Sequence, residues 1–381
     1  MIQHLEINNF KFHKSTSLKL RNLTVFCGSN SVGKSSAIQP LLLLREAYVN
    51  KSDFAYLDLL PNPVKIGTSA DAIYQYSDDN EISFRLKSDK NENLFIFELE
   101  KNDYTKTLIN AKKGIVEKLL IDDSEGLFNE NFQYISSARL GPQAYYKRDD
   151  VVVDKYRQIS VDEGKAEYCV HYLHKNQSKK VLLALINENS PLDNLINQVT
   201  AWQKEISDGI NVLIQDIGKL GFELRYQYEI EAGSSKTNEY TTQNVGFGVT
   251  YVLPILVAIL SAQPGSLIII ENPEAHLHPH GISKLSHLIC LAAEAGIQII
   301  IETHSDHIIN GILVQSKLFE NSEGKRGISK DHISIYQFER NEKEFCSEAI
   351  NIDVKDDGRI TYAPKGFFDQ LTLDRKYLMG F

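Results

Sequence analysis

Residues 28–35, Gly-Ser-Asn-Ser-Val-Gly-Lys-Ser, have the types and spacing that hold phosphate groups. The pattern is G-x-x-x-x-G-K-[S/T], in which glycines allow backbone N–H groups to converge on phosphate oxygens. A helix that begins behind such a loop adds a dipole that favours anions. Lys34 is placed to neutralise the β- and γ-phosphates, and the Ser35 hydroxyl to bind Mg²⁺. The residues predicted to bind ATP are Gly28, Asn30, Gly33, Lys34, Ser35 and Ser36.

A second segment, Leu-Ile-Ile-Ile-Glu-Asn-Pro-Glu at 267–274, is an apolar run that ends in carboxylates. An apolar strand ending in an acidic residue is typical of a Walker B element, whose carboxylate emerges at the edge of the sheet beside the nucleotide. The pattern is weak alone and strong together with the phosphate-binding loop. We therefore expect Glu271 to hold Mg²⁺ together with Ser35, either directly or through water.

A third segment, Ile-Glu-Thr-His-Ser-Asp at 301–306, follows another apolar run. A histidine at the end of the next buried strand can reach the γ-phosphate and polarise the attacking water. The alternative is a surface histidine near a helix start. The position of His304, one strand after the Walker B element, favours the catalytic interpretation.

Glycines also open a predicted helix at Asn244-Val245-Gly246-Phe247-Gly248, just before the Walker B strand. A helix N-terminus of this kind binds anions. In a single chain the loop has no phosphate to bind, whereas in a head-to-tail dimer it would close on the nucleotide of the partner. The residues that would act in this way are Asn244, Gly246 and Gly248. The alternative, a simple helix-entry turn, remains open at this stage.

Composition excludes several other functions. The net charge of −9 and the pI of about 5.7 argue against a surface that is basic throughout, so any nucleic-acid contact needs a local patch. Four cysteines lack metal-ligand or disulfide spacing, which favours reduced thiols and a cytoplasmic location. The most apolar run, 249–262, is interrupted by Pro254 and is too short to span a bilayer. Four histidines, His276, His278, His280 and His287, have no acidic or cysteine cluster beside them, which argues against zinc.

Periodicity predicts the elements that position these residues. Strands are expected over 5–10, 17–20, 22–27, 266–270 and 297–301, and helices over 35–48, 246–261 and 282–295. Continuous apolar strands separated by helices indicate a parallel sheet that is covered on both faces. The expected fold is an α/β P-loop NTPase, a single discontinuous head over 1–381. Its parts are an antiparallel β layer (50–135), a helical insertion (150–235), a lobe with the signature, Walker B and histidine elements (236–320), and C-terminal strands with a tail (330–381).

The four elements, in this order, resemble the ABC-type ATPase heads of the SMC, RecF and OLD families. The strings ENPEAHLHP and ETHSDHIINGI, and the stretch Arg139-Leu140-Gly141-Pro142, resemble the OLD and bacterial defence ATPases. The ending DGRITYAPKGFFDQ resembles the C-terminal motif of stand-alone bacterial ATPases of the Septu type, with Ala363 in place of a Trp. OLD proteins also carry a Toprim nuclease domain, which we do not expect in this chain.

The resemblance implies a homodimer, or a higher even-numbered oligomer, that closes head to tail around ATP and Mg²⁺. It also implies a separate effector protein, a nuclease or toxin, in bacterial anti-phage defence. The sequence itself gives no indication of a membrane. The rival interpretation is a RecF- or SMC-like clamp that binds DNA directly, and a third is a scaffold that binds ATP but scarcely hydrolyses it. Asn272 occupies the position where transporter and SMC heads carry the catalytic Glu. Either Glu274 or Glu271 takes over as the base, or hydrolysis is slow.

Overall fold

The computed structural model describes residues 1–51, 53–100, 103–207, 209–231, 235–362 and 370–379. The chain forms two compact units, the first made of residues 1–128 and 301–381 and the second of residues 129–300. Half of the C-terminal motif noted in the sequence, residues 363–369 with Ala363 among them, lies outside the described residues.

The elements follow in chain order. The first part of the first unit contains β1 (Ile2–Phe10), β2 (His13–Lys19), β3 (Leu23–Gly28), α1 (Lys34–Val49), β4 (Tyr56–Asp58), α2 (Ser69–Ala72), β5 (Glu81–Ser88), β6 (Glu92–Glu98) and β7 (Leu108–Ala111). Then come β8 (Phe132–Ile135), α3 (Cys169–Asn176), α4 (Leu195–Ile206), β9 (Ile210–Asp216), β10 (Phe222–Glu231), β11 (Ser235–Lys236), β12 (Tyr240–Thr241), α5 (Phe247–Ser261), β13 (Leu267–Glu271), α6 (Pro279–Glu294) and β14 (Gln298–Glu302). The chain ends with α7 (Asp306–Asn321), β15 (Ile333–Asn341), β16 (Cys346–Ile352), β17 (Val354–Lys355), β18 (Arg359–Ile360) and α8 (Gln370–Leu378).

An antiparallel sheet in the first unit has the strand order β2-β1-β5-β6-β7-β4. Its strands alternate buried and more exposed residues, as the period of two requires when one face is covered. Phe84 on β5 and Phe95 on β6 are paired in register and buried. The antiparallel β layer that the sequence predicts is therefore present, and strands β4 to β7 fall within the predicted range 50–135.

In the first unit, a group of strands that pair in both the parallel and the antiparallel sense carries the phosphate-binding segment. Strand β3 is buried along its whole length and runs parallel to β15, which pairs in turn with β16 in the antiparallel sense. Helix α1 starts at Lys34, directly after the loop, and continues through Pro40. The helix predicted over 35–48 is therefore confirmed, and it extends by one residue at each end.

The second unit contains a parallel pair, β8 and β13, whose residues Leu267–Ile270 are all buried. Helix α5 is also buried along most of its length. The helical insertion expected over 150–235 is helical only in part, because helix α4 ends at Ile206 and strands β9 and β10 follow from Ile210. Gly209 adopts a φ of 73°, which breaks the helix, and the β-branched residues that follow favour a strand.

Within the described ranges, no helix combines the length and the apolar character that a membrane crossing requires.

Candidate nucleotide-binding site

The loop between β3 and α1 owes its course to two glycines. Gly28 has a φ of 134° and Gly33 a φ of 101°, values that side-chain-bearing residues rarely adopt. A Cβ at Gly28 would collide with the backbone carbonyl of Phe338, and one at Gly33 with the hydroxyl of Ser347. Both glycines of the motif are therefore required by the way the loop packs on β15 and β16.

The side chains of Lys34 and His304 hold the carbonyl groups at the start of the loop. The ammonium of Lys34, which is 3% exposed, donates to the Gly28 carbonyl at 3.1 Å and to the Ser29 carbonyl at 2.6 Å. The imidazole of His304 lies 3.1 Å from the same Gly28 oxygen through Nδ1. Because a carbonyl only accepts, Nδ1 of His304 carries the proton in this arrangement. The structure thus brings the predicted His304 to the first residue of the loop.

The later carbonyls of the loop are held in the same way. The Arg340 guanidinium donates to the Ser31 carbonyl at 2.9 Å, the Ser347 hydroxyl to that of Val32 at 2.6 Å, and the His13 imidazole contacts that of Gly33 at 3.0 Å. Sequence reasoning missed these three residues.

The backbone N–H groups of residues 30–33, all within the described residues, donate to no protein acceptor. Because side chains hold the loop carbonyls and the N–H groups of residues 30–33 have no protein acceptor, the loop can bind an oxyanion such as a phosphate.

Ser35 contacts a carboxylate that the sequence interpretation did not select. Its hydroxyl donates to Oε1 of Glu302 at 3.0 Å, and Glu302 is only 6% exposed. Glu302 ends β14 just as Glu271 ends β13, so the same signal, an apolar strand with a terminal acid, was present at both positions. The remaining predicted ligands also lie here, with Asn30 exposed in the loop and Ser36 buried in the first turn of α1.

Glu271 lies in the second unit and is held there by three donors. Its Oε1 accepts from the Tyr134 hydroxyl at 2.8 Å, and its Oε2 accepts from the backbone N–H of Ser137 at 3.1 Å and from the Ser137 hydroxyl at 3.2 Å. These donors fix the orientation of the carboxylate. The predicted metal ligands Ser35 and Glu271 belong to different units, and their joint action remains a prediction.

Arg139 is a buried cation that organises the end of β13. It is 1% exposed, and it donates to the carbonyls of Glu271 at 2.9 Å and Asn272 at 2.8 Å, as well as to that of Tyr251 at 2.9 Å. Burial lowers the pKa of the guanidinium to about 10, which leaves it charged at neutral pH. Asn272 has a φ of 44°, a conformation that Asn tolerates better than most residues. Arg139 therefore fixes the backbone that carries both Glu271 and Asn272.

The Gly-rich loop at 244–248, called the signature loop below, packs against the segment that follows Glu274. A Cβ on Gly248 would collide with the carbonyl of His276, and the Phe247 ring lies 5.1 Å from the His276 ring, centroid to centroid. Asn244 and Gly246 are exposed, and a Cβ on Gly246 would meet open space. The loop thus presents its first residues to solvent and keeps Gly248 in contact with the protein. Glu274 is half-buried in the same unit.

Three of the four clustered histidines have individual structural roles. His276 packs against the Phe247 and Tyr251 rings, His278 caps α6 by accepting from the backbone N–H of His280, and His287 contacts the Trp202 ring. Across the described ranges, no group of three or more His, Cys, Asp or Glu side chains is arranged to hold a metal ion.

A family described as "AAA domain, putative AbiEii toxin, Type IV TA system" matches residues 23–310, which include the loop, β13 and His304. The chain belongs to this family. The family places it among ATPase heads of the SMC, RecF and OLD type, as the order of its motifs predicts. A second family, described as "Protein of unknown function (DUF3696)", matches residues 328–376.

Similar proteins agree with this assignment. The chain is 21% identical over 341 residues to the Old nuclease of Escherichia phage P2; the match covers 80% of this chain but only 56%, about half, of that protein. An SMC head solved with the C-winged helix domain of ScpA has a TM-score of 0.53 at 12% identity, covering 93% of this chain and 98% of its own.

The Smc head of Pyrococcus furiosus, solved with the C-terminal domain of ScpA, has a TM-score of 0.51 at 11% identity. That match covers 100% of this chain and 98% of the Pyrococcus chain. At these identities the two structures establish the α/β head fold, including its mixed and antiparallel sheets, and nothing about partners.

Proposed function

We propose that the chain is an ATP–Mg²⁺-dependent switch that closes two copies head to tail and regulates a separate effector. The observation that carries the proposal is the loop at 28–35, in which side chains hold most of the backbone carbonyls while the described backbone N–H groups of residues 30–33 face no protein acceptor. An ATPase family that matches three quarters of the chain supports it. The loop is an anion site of the kind that holds triphosphates.

The roles of the site residues follow from their chemistry. The Lys34 ammonium exchanges its carbonyl partners for phosphate oxygens, to which it makes stronger charge-assisted hydrogen bonds. The Ser35 hydroxyl and a carboxylate are the oxygen ligands that Mg²⁺ prefers. A bound Mg²⁺ would neutralise part of the phosphate charge. His304 contacts the Gly28 carbonyl of the loop, and we propose that it senses the γ-phosphate.

Dimerisation is proposed from the exposed signature loop. Asn244 and Gly246 precede helix α5, and their exposure leaves the helix N-terminus open to an anion. A second copy whose P-loop carries ATP would supply the phosphates, so that each site is completed by its partner.

Dimerisation is tested with Gly246→Asp. Because a side chain at Gly246 meets open space, the variant is expected to fold and to bind ATP as the wild type does. Its carboxylate would repel the partner's phosphates and abolish dimerisation induced by ATP. Analytical ultracentrifugation with and without a non-hydrolysable ATP analogue measures the effect, and Asn238→Asp, an exposed position in the same unit, is the control for added charge. An ATP-induced dimer in Gly246→Asp equal to that of the wild type would contradict head-to-tail closure.

The proposal that the chain regulates a separate effector in anti-phage defence is supported by the proteins to which the chain is similar. The matching family is described with a toxin–antitoxin system, and the relative from phage P2 is a nuclease of which this chain spans about half. We propose that the ATP-closed form holds a nuclease or toxin and that hydrolysis or nucleotide loss releases it. Such coupling requires that the effector bind the two states with different affinity.

The effector is sought in the neighbouring reading frame. Its product, purified with the chain, should bind in the presence of ATP and become active when ATP is removed. Duplex DNA binding by the chain alone, strengthened by ATP and weakened by salt, would instead favour a DNA clamp of the RecF or SMC type. An ATP-bound chain that shows no measurable turnover would favour a scaffold.

A further inference from the structure

The Glu302 carboxylate lies at the phosphate-binding loop of the first unit but is not among the predicted ligands. It ends β14, is 6% exposed, and accepts the Ser35 hydroxyl proton at 3.0 Å. Burying a carboxylate is costly unless charge or hydrogen bonds compensate it. The Ser35 hydroxyl is one such compensating group, and it places the Glu302 carboxylate at the start of helix α1, beside the phosphate-binding loop.

The position of Glu302 is fixed by its neighbours. The N–H of Thr303 donates to the carbonyl of Phe26 at 3.0 Å, which ties the end of β14 to β3 two residues before Gly28. The Thr303 hydroxyl accepts from the N–H of Ser305 at 3.0 Å and so holds the turn into α7. Glu302 is therefore held at the phosphate-binding loop by the contacts of Thr303, the residue that follows it, independently of any nucleotide.

The contact with Glu302 determines which way the Ser35 hydroxyl points. A serine hydroxyl has one proton and two lone pairs. With the proton committed to Glu302 Oε1, the lone pairs face away from that carboxylate and are available to a metal ion. A carboxylate that accepts from a metal ligand orients the ligand and increases its basicity.

We propose that Glu302 is a positioning residue of the Mg²⁺–nucleotide site, which orients Ser35 and adds a fixed negative charge next to the ion. Glu271 is already engaged by three donors from Tyr134 and Ser137, and its neighbour Asn272 is uncharged. Glu302 supplies a carboxylate to Ser35 from within the first unit. This inference rests on the proposed ATP–Mg²⁺ function.

The test compares nucleotide affinity with and without Mg²⁺, using a fluorescent non-hydrolysable ATP analogue. Glu302→Gln is expected to weaken binding by roughly 10- to 100-fold in Mg²⁺, the range for partners of metal ligands, and to leave affinity in EDTA unchanged. The matched control is Glu46→Gln in α1, a carboxylate of the same unit that accepts from Asn50 at 3.0 Å. This control should bind as the wild type does in both conditions.

Two further variants keep the outcome decisive. Glu302→Asp preserves the charge but retracts the carboxylate from Ser35, and is expected to lose Mg²⁺-dependent affinity even if Glu302→Gln fails to fold. In the double variant Ser35→Ala/Glu302→Gln, the loss of affinity should be smaller than the sum of the two single losses, since both changes remove the same contact. Mg²⁺-dependent binding at wild-type affinity in Glu302→Asp or in a folded Glu302→Gln would overturn this inference. A wild-type chain that binds no nucleotide would instead overturn the proposed function.

Discussion

His13 and Gly33 are joined by a hydrogen bond of 3.0 Å from the imidazole Nε2 to the carbonyl oxygen. The carbonyl only accepts, so Nε2 carries the proton and Nδ1 accepts from the Thr16 hydroxyl at 2.9 Å. His13 is fully buried, and burial lowers its pKa to about 4; the Gly33 contact opposes this shift and nearby Lys11 adds to it. The β1–β2 hairpin thus holds the phosphate-binding loop through a neutral histidine.

Folding stability should fall in acid because of His13. Its pKa is about 4 in the folded chain and about 6.5 when unfolded, so the unfolded state binds the extra proton between these values. The contribution is complete above pH 6.5 and is lost as the pH falls towards 4, by about 3 kcal/mol in total. His13→Gln, which keeps a donor near Gly33 and does not titrate, should lose less stability between pH 7 and pH 5. Urea unfolding at the two pH values measures this, and an equal loss in both proteins would contradict it.

Removal of the Arg139 guanidinium should destabilise the second unit. Arg139→Met leaves the carbonyls of Tyr251, Glu271 and Asn272 without their buried donor, at a cost of roughly 3–5 kcal/mol in the free energy of unfolding. Arg157→Met removes an exposed pair with Glu130 and should cost less than about 1 kcal/mol. Chemical denaturation of both variants tests the contrast. Similar small losses would show that Arg139 is not needed to hold the end of β13.

A methyl group at Gly33 should disable the loop. Ala at a φ of 101° is strained by about 1–2 kcal/mol, and its Cβ also collides with the Ser347 hydroxyl. Gly114→Ala, at a φ of 75° with no atom nearby, carries the strain without the collision and is the matched control. We expect nucleotide binding to be lost in Gly33→Ala and retained in Gly114→Ala. Tight binding by Gly33→Ala would contradict the assigned role of the loop.

The general base is expected to be Glu274. Glu271 is held by Tyr134 and Ser137 and is suited to act as a fixed charge, while Asn272 cannot take up a proton as a carboxylate does. Glu274→Gln should therefore abolish ATP hydrolysis and leave ATP binding intact. Steady-state phosphate release measures turnover in Glu274→Gln and in Glu271→Gln. Activity that survives in Glu274→Gln but is lost in Glu271→Gln would assign the base to Glu271.

The central elements of the fold could be predicted because their signals are local. Residues 28–35 specify a turn between a buried strand and a helix, and the apolar runs before Glu271 and Glu302 specify buried strands. Such signals depend on residues within a few positions of one another. The insertion expected to be helical over 150–235 contains strands after Ile206. The polar stretch there has no strong periodicity, and Gly209 with the β-branched residues that follow it favours a strand.

The contacts that shape the site could not be predicted in this way. Arg340 and Ser347 reach the loop from more than 300 positions along the chain, and nothing in their surroundings marks them. Glu302 was detectable, because it repeats the pattern of Glu271, but the sequence alone does not show which acid faces Ser35. These pairings depend on how the strands are ordered in three dimensions.

Calorimetric titration with a non-hydrolysable ATP analogue in Mg²⁺ tests the central claim most directly. The account predicts one binding site per chain in the wild type. Lys34→Ala, verified as folded by its thermal unfolding, should bind at least about tenfold more weakly because it loses charge-assisted contacts to phosphate. A folded wild-type chain that binds no nucleotide, or a Lys34→Ala variant that binds with unchanged affinity, would contradict the assignment of residues 28–35 as the ATP site.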